Sequence, residues 1–515
     1  MHCPLDATPL WKAAMTGGLP DGQRHAGSGP FGRTGLKTME LPSPDTHVID
    51  RKQRIVQLLR MVVPHEAIVD NERQTLAYEC DALTARRCPP LAVALPSTTE
   101  EVSKLLEICH RERVPVVPRG AGTSLSGGAL PTSDSVVICT ARLNEILEID
   151  CDSRFVRVQS GITNVSVTQA VENDGFFYAP DPSSQLACTI AGNVAMNSGG
   201  AHCLKYGVTT NNLLGVRMVL MDGEIVDIGG ESLDAPGLDL LGLVCGSEGQ
   251  LGIVTEAVLR ILPKPEGARP TLIGFDSAEV AGKCVADIIG AGVLPVAIEF
   301  MDKTCNRVSE EFSGAGYPDV EALLIVEVEG SPEEIEYQQG LITQVAWRHN
   351  PVEVRESASE EESLKIWAGR KAAFGAMGSV GDYICLDGTI PVSKLSVALR
   401  GIEELSKTYK LKVANVFHAG DGNLHPMIIF DTNNAAEMKR SEELGAEILK
   451  LCVRNGGCLS GEHGVGIEKR ELMTTQFTED DLEMQMRIKD VFDERWLLNS
   501  AKVFPLELSQ ARRMQ

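Results

Sequence analysis

The sequence is poor in aromatic residues, which make up 5% of 515, and none of its 14 cysteines forms a Cys-x-x-Cys pair. Scattered cysteines offer no iron–sulfur ligand run, and with no secretory leader visible they fit reduced thiols in a cytosolic protein. No apolar run reaches about 18 residues, so no segment is expected to span a membrane as a helix. Positive charge is also short: 48 Lys and Arg face 71 Asp and Glu, a net charge of −23. That balance repels nucleic acid and anionic lipid, and a pocket for an anion must supply local positive charge against the global field.

What the chain does have is 43% hydrophobic residues and 49 glycines. These suit a loop-rich α/β composition with large cores, in two or three domains of roughly 100–200 residues each. Residues 1–45 are rich in Gly, Pro and polar residues and read as a disordered tail, or as sequence upstream of a start at Met39. From Leu91 the pattern is strand, helix, strand. Leu91–Leu95 is a short apolar run, Ser97 and Glu100 have capping-box spacing, and Val102, Leu105, Leu106 and Cys109 mark one helical face. Val114–Pro118 is a strand that leads into a glycine-rich loop. Further strands are expected at Ser135–Cys139, Phe155–Gln159, Val216–Met221 and Ile253–Ile261. Pro263 and Pro265 break the pattern and set a domain boundary.

Beyond that boundary, Thr271–Phe275, a helix over Ala278–Ala291 and Val296–Phe300 read as β-α-β. Leu323–Val328, a helix over Glu333–Trp347 and Val352–Arg355 read as a second such unit. Two units in series suggest a ferredoxin-like layer. Val413–Phe417 and Met427–Phe430 are two more strands, joined by the turn Gly420–Asn423. Long helices follow at Ala435–Leu451 and Leu482–Trp496. The resulting division is a tail (1–45), a first domain (46–265), a second domain (266–460) and a C-terminal segment (461–515).

Three small-residue segments carry the binding signal. Pro118-Arg119-Gly120-Ala121-Gly122-Thr123-Ser124 follows a strand, where glycines let backbone N–H groups curl into an anion nest. The loop lacks the third glycine of the dinucleotide fingerprint and the Gly-Lys-Ser/Thr of a Walker loop. Alone, such a loop is more often a turn than a nucleotide site. Pro180-Asp181-Pro182-Ser183 leads into Thr189-Ile190-Ala191-Gly192-Asn193, where small residues admit either a flat ligand or a tightly packed helix. Gly246-Ser247-Glu248-Gly249-Gln250-Leu251-Gly252-Ile253 is the third.

Of only ten histidines, His418 and His425 stand at opposite ends of the turn Asp421-Gly422-Asn423, and His463 follows Glu462 in a glycine-rich stretch. Two His and one carboxylate leave open positions on a divalent ion for a substrate. Spacing alone leaves open whether these groups converge or are structural.

Together, in this order and spacing, the segments resemble the FAD-linked oxidases of the vanillyl-alcohol-oxidase type. Within that family they are most similar to the group that holds the FAD-binding subunits of bacterial glycolate oxidase with D-lactate and D-2-hydroxyglutarate dehydrogenases. The resemblance runs from about Val69 to Pro505. It implies an α+β protein with a two-lobed FAD-binding domain of the vanillyl-alcohol-oxidase (PCMH) type and a ferredoxin-like substrate domain. It implies that residues 119–124 cradle the FAD pyrophosphate, that Pro180–Ser183, Thr189–Asn193 and Glu248–Ile253 line the rest of FAD, and that Asn499 returns to the flavin. The family's Asn-Pro-Gly-Lys is Asn499-Ser500-Ala501-Lys502 here. No histidine stands in the glycine-rich loop, so FAD is expected to be non-covalent.

By the same resemblance His418, His425 and Glu462 would bind zinc or a similar ion (manganese, iron), His463 would be the base and Arg370 would bind the substrate carboxylate. Met427 and Cys385 stand where relatives acting on 2-hydroxyglutarate carry Asn and Lys, which favours a small monocarboxylate such as glycolate or D-lactate. The family further implies an iron–sulfur subunit, a second flavin-type subunit and a quinone-linked acceptor, with the chain cytoplasmic or peripheral on the inner membrane face. Two other readings compete: a non-catalytic flavin-binding companion, and a metal-dependent hydrolase suggested by the His/Glu cluster alone.

Overall fold

The computed structural model describes residues 39–232 and 237–513; most of the expected N-terminal tail lies outside them. Within that tail Met39 is buried with Leu83, Leu130 and Ile467, and Asp45 caps the helix Thr46–Asp50.

The half expected to hold flavin, the flavin half, has two main sheets and a third of two short strands, Phe176–Phe177 with Leu262–Pro263. In the first, Ala92–Ala94, Val136–Cys139 and Val116–Arg119 pair in parallel, with Ile68–Val69 antiparallel at the edge. Parallel strands covered on both faces must be apolar throughout, and Val-Val-Ile-Cys at 136–139 is buried at every position. The helix Thr99–Glu112 crosses between them. Its N-cap is Thr98, whose side chain accepts from Glu101 N–H, one residue later than the Ser97–Glu100 spacing suggested. The second sheet is antiparallel, in the order Ile146–Asp150, Phe155–Gln159, Ile253–Arg260, Leu213–Val219, Ile225–Gly229.

The other half is built on a nine-stranded sheet. Its first four strands run Glu353–Glu356, Gly267–Phe275, Ala322–Gly330, Ala297–Asp302, each antiparallel to its neighbour. With the helices Ala278–Gly290 and Pro332–Trp347 as crossovers, this is the ferredoxin-like order. Ser331 and Glu334 form a capping box at the second helix, with Pro332 in its first turn, which fixes where it begins. The strand Lys412–His418 joins the sheet beside Ala297–Asp302 and pairs His418 with Glu299. Helix Glu360–Met377, capped by Ser359, packs on this sheet. The last long helix is Glu479–Phe492, four residues short of Trp496, because Asp493 leaves helical geometry to accept from Leu497 and Leu498 N–H. Leu498 then pairs in parallel with Val116, so the C-terminal segment returns to the first sheet.

Candidate functional site

The glycine-rich loop leaves the C-terminal end of the strand Val116–Arg119, where a parallel sheet opens. Gly122 takes φ +76°, in the left-handed region that suits glycine. At Gly120 an added Cβ would come within 2.2 Å of Thr189 Oγ1, so the first two segments touch. Thr189 caps the short helix Ile190–Met196. Glu248 closes the third segment, accepting from Val465 and Gly466 N–H at 2.5 and 2.8 Å. That contact ties the flavin half to the segment carrying His463. Asn499 donates to Gly128 O at 3.1 Å and Glu248 O at 2.7 Å and accepts from Lys502 Nζ at 2.8 Å. Ser500 and Ala501 in place of Pro-Gly leave this return intact.

These elements enclose a cavity of about 480 Å³. Of the residues expected to hold the cofactor, Pro118, Arg119, Gly120, Ala121, Gly122, Thr123, Ser124, Pro182, Ser183, Thr189, Gly192, Asn193, Glu248, Gly249, Ile253 and Asn499 line it. Pro180 and Asp181 do not. The Pro180 carbonyl accepts from Asn164 at 3.0 Å, and the Asp181 carboxylate faces His202 Nδ1 at 2.7 Å. No histidine lies within the glycine-rich loop.

His425, Glu462 and His463 line the same cavity. The hairpin that the turn implied brings His418 and His425 together, with ring centroids 5.1 Å apart, and His425 stacks on His463 at 4.9 Å. Glu462 Oε1 lies 3.2 Å from His425 Nε2 and 3.5 Å from His418 Nε2. Segment 198–200 of the flavin half presses against this group: a Cβ at Gly199 would sit 2.7 Å from Glu462 Oε2. His418 is one step behind the cavity wall, its Nδ1 held by Glu299 at 2.7 Å.

Sequence reasoning missed Asp387. It is fully buried and accepts from the backbone N–H groups of Gly461, Glu462 and His463 at 3.0, 3.1 and 2.9 Å and from the Ser460 hydroxyl. Asp387, His425, Glu462 and His463 each offer a ligand atom within 4.8 Å of the others. Cys385-Leu386-Asp387-Gly388 reads as an ordinary strand end, so nothing local marked it. Glu299 was also missed, although a carboxylate inside the apolar run Val296–Phe300 was a usable signal.

The electrostatics follow from burying Asp387, Glu299 and Glu462 together. Burial works against the charge of Glu299, but Arg370 and His418 outweigh it and hold the carboxyl near 2. Glu462 is lowered against its burial by His418 and His425. Burial disfavours charge on His418 and His425 as well, yet Glu299, for His418, and Asp387 and Glu462, for His425, raise them. The site therefore draws positive charge inward. His463 is the exception, pushed down to about 4 by burial, with Asp387 only partly opposing. It is neutral at neutral pH.

A divalent ion fits this donor set. Both ring nitrogens of His425 are buried without a hydrogen-bond partner, with Nε2 facing Glu462 Oε1, an expensive arrangement unless a ligand uses one of them. Two histidine nitrogens beside carboxylate oxygens suit zinc and similar ions.

Arg370 does not line the cavity. Its Nε and Nη2 face Glu299 Oε2 at 2.8 and 2.6 Å, and its guanidinium carbon lies 5.9 Å from the Phe374 ring centre. Phe374, Tyr383 and Cys385 form the neighbouring cavity wall. Tyr383 donates its hydroxyl to Phe374 O at 2.8 Å, so that wall is apolar towards the cavity. Met427 is buried behind it, paired in register with Cys385.

A half of two main sheets with a glycine-lined cavity, closed by a ferredoxin-like half carrying a histidine–carboxylate group, defines a flavin-dependent oxidoreductase architecture. The FAD binding domain family matches residues 90–229, and the C-terminal domain of FAD linked oxidases matches residues 264–503. The chain is 48% identical to the glycolate oxidase subunit GlcD of Escherichia coli, over 89% of this chain and 92% of that one. It is 37% identical to GlcD of Bacillus subtilis, over 88% and 97%. The D-lactate dehydrogenase of Archaeoglobus fulgidus is 32% identical, over 82% and 95%. Among solved structures, 4-ethylphenol oxidase from Gulosibacter chungangensis superposes with a TM-score of 0.76 at 16% identity, covering 91% of this chain and 99% of that one. The chain belongs to the FAD-linked oxidase family, and FAD is its cofactor. Among the described residues no helix is long and apolar enough to cross a membrane.

Proposed function

We propose that this chain oxidises glycolate, or a 2-hydroxy acid of similar size, to the 2-oxo acid. The observation that carries the reading is convergence. His425, Glu462 and His463, from the distant end of the sequence, line the same cavity as the glycine-rich loop. Bound FAD supplies the hydride acceptor, and a bound divalent ion supplies a Lewis acid that polarises the hydroxyl. His418, His425 and Glu462 would hold that ion, with zinc the best fit to the donor set and manganese or iron the alternatives. Asp387 is a further candidate ligand by position.

His463 acts as the base. A neutral imidazole can accept the hydroxyl proton, and burial keeps it neutral. Asp387 fixes where it stands by binding its backbone N–H. Arg370 would bind the substrate carboxylate; Nε and Nη2 face Glu299, so that contact falls to Nη1. The wall of Phe374, Tyr383 and Cys385 accepts a hydrogen or a methyl but offers no partner for a second carboxylate, which burial would penalise heavily. D-lactate, with its methyl, is the second substrate this wall permits.

Electrons would leave through partner subunits, since the relatives named GlcD are themselves subunits. An iron–sulfur carrier on another chain is consistent with cysteines here that form no ligand run. A second flavin-type subunit and a quinone acceptor complete the proposal, with the chain in the cytoplasm or at the inner membrane face. Anaerobic addition of glycolate to the FAD-loaded protein tests the reaction. Bleaching of the flavin band supports it; a yellow protein inert to every 2-hydroxy acid makes the chain a companion subunit.

A further inference from the structure

Glu299, Glu327 and Glu329 lie on one face of the nine-stranded sheet, because Glu327 pairs with Ala297 and neighbouring residues alternate faces. Each carboxylate faces donors from other elements. Glu299 faces His418 and Arg370. Glu327 accepts from Trp367 Nε1 at 2.7 Å and lies 3.4 Å from His202 Nε2. Glu329 accepts from the Tyr206 hydroxyl and pairs with Lys205 at 2.8 Å. His202, Lys205 and Tyr206 belong to the flavin half, and His202 is held from behind by Asp181.

Trp367 and Arg370 stand three apart on helix Glu360–Met377, so they share a face, and Phe374 extends it by one turn to the cavity. The helix buries Ile366, Gly369, Arg370, Ala373, Ala376 and Met377. Ile366, Ala373 and Met377 pack into an apolar cluster with Met301, Leu323 and Ile325, while Trp367 and Arg370 anchor the helix to the carboxylates of the sheet. Burial disfavours charge on His202, but Asp181 and Glu327 outweigh it and raise its pKa well above the ordinary value. The contact between the halves is thus a charge-assisted one, of the stronger kind.

We propose that Glu327 is a positioning residue for substrate binding: it holds Trp367 on one side and His202 on the other, and so sets Arg370 and Phe374 against the flavin half. The proposal rests on the reaction proposed above. Glu329 makes a similar contact between the halves, but its polar partners are Tyr206 and Lys205 rather than helix Glu360–Met377, which makes it the control.

The test is steady-state kinetics with glycolate on the FAD-loaded, metal-loaded protein, together with hydrogen exchange of residues 360–377. Glu327→Ala should raise KM about tenfold or more with FAD content unchanged, as expected when a substrate-binding group is displaced by a fraction of an ångström. Glu327→Gln should return KM towards wild type, since an amide oxygen still accepts from Trp367. Glu329→Ala, the matched truncation, should leave KM within about twofold, because Trp367 and Arg370 keep their partners. Should Glu327→Ala not fold, Trp367→Phe removes the same hydrogen bond and keeps a ring in place. An unchanged KM in Glu327→Ala or in Trp367→Phe, or an equal rise in Glu329→Ala, overturns the proposal. Should the wild-type flavin resist every 2-hydroxy acid, the reaction itself falls and exchange decides for Glu327. Faster exchange at 366–377 in Glu327→Ala and Trp367→Phe supports it, and unchanged exchange rejects it.

Discussion

Asp387 holds His463 by its backbone, accepting the amide N–H at 2.9 Å, and leaves the imidazole Nδ1 free of any hydrogen bond. The same carboxylate gathers the two preceding amides; when it is removed, the Glu462 and His463 N–H groups lose their acceptor, while that of Gly461 keeps the Asp387 backbone carbonyl. Asp387→Ala should slow flavin reduction by about a hundredfold with FAD still bound, since base and substrate lose alignment. Asp387→Asn, which keeps an acceptor oxygen, should fall between. Stopped-flow absorbance at the flavin band reads both.

Glu299 orients His418 from behind, and partners of that kind typically govern metal affinity by about 10–100-fold. Glu299→Gln should therefore lower affinity for the bound ion by that order, read as metal content against free zinc concentration. Chelation of the wild-type protein should suppress flavin reduction, and zinc should restore it.

Phe374 closes the side of the cavity next to Arg370. Phe374→Ala should open room for an ethyl or propyl group, worth about 0.8 kcal/mol per buried methylene. The ratio of kcat/KM for 2-hydroxybutyrate to that for glycolate should rise about tenfold. A ratio that stays fixed would remove Phe374 from the wall.

Lys502 is fully buried and donates to Asn499 at 2.8 Å. Burial lowers its pKa from 10.5 to about 7, with Asp81 only partly opposing. Between those values the unfolded chain binds the proton and the folded chain does not, so this group makes stability rise with pH across the window. Below about 7 the folded protein must carry the buried charge in full. Lys502→Met should consequently gain more in Tm over wild type at pH 6 than at pH 9, measured by thermal unfolding. An equal difference at the two pH values contradicts this.

Much of the flavin half was legible in the sequence because its signals are local. Short apolar runs gave the strands, and Gly120, Gly122 and Thr189 announced close approach of backbone. The hairpin between His418 and His425 followed from Asp421-Gly422-Asn423, and Gly422 does take φ +78°. Asp387 could not be read, because its role exists only once residues 460–463 fold over it from more than seventy positions away. Arg370 illustrates the same limit. The resemblance assigned it a substrate carboxylate, but strand pairing places Glu299 opposite His418 and within reach of that guanidinium. The cap at Thr98 rather than Ser97 is a smaller difference of one residue, set by which side chain faces the helix end.

The central claim is that the histidine–carboxylate group acts on a 2-hydroxy acid at the flavin. Anaerobic stopped-flow reduction by glycolate, in wild type and in His463→Ala with equal FAD content, tests it most directly. The variant should be slower by about a thousandfold, within the range for loss of a general base. Reduction within about tenfold of wild type would contradict the assignment, since a positioned base contributes more than that.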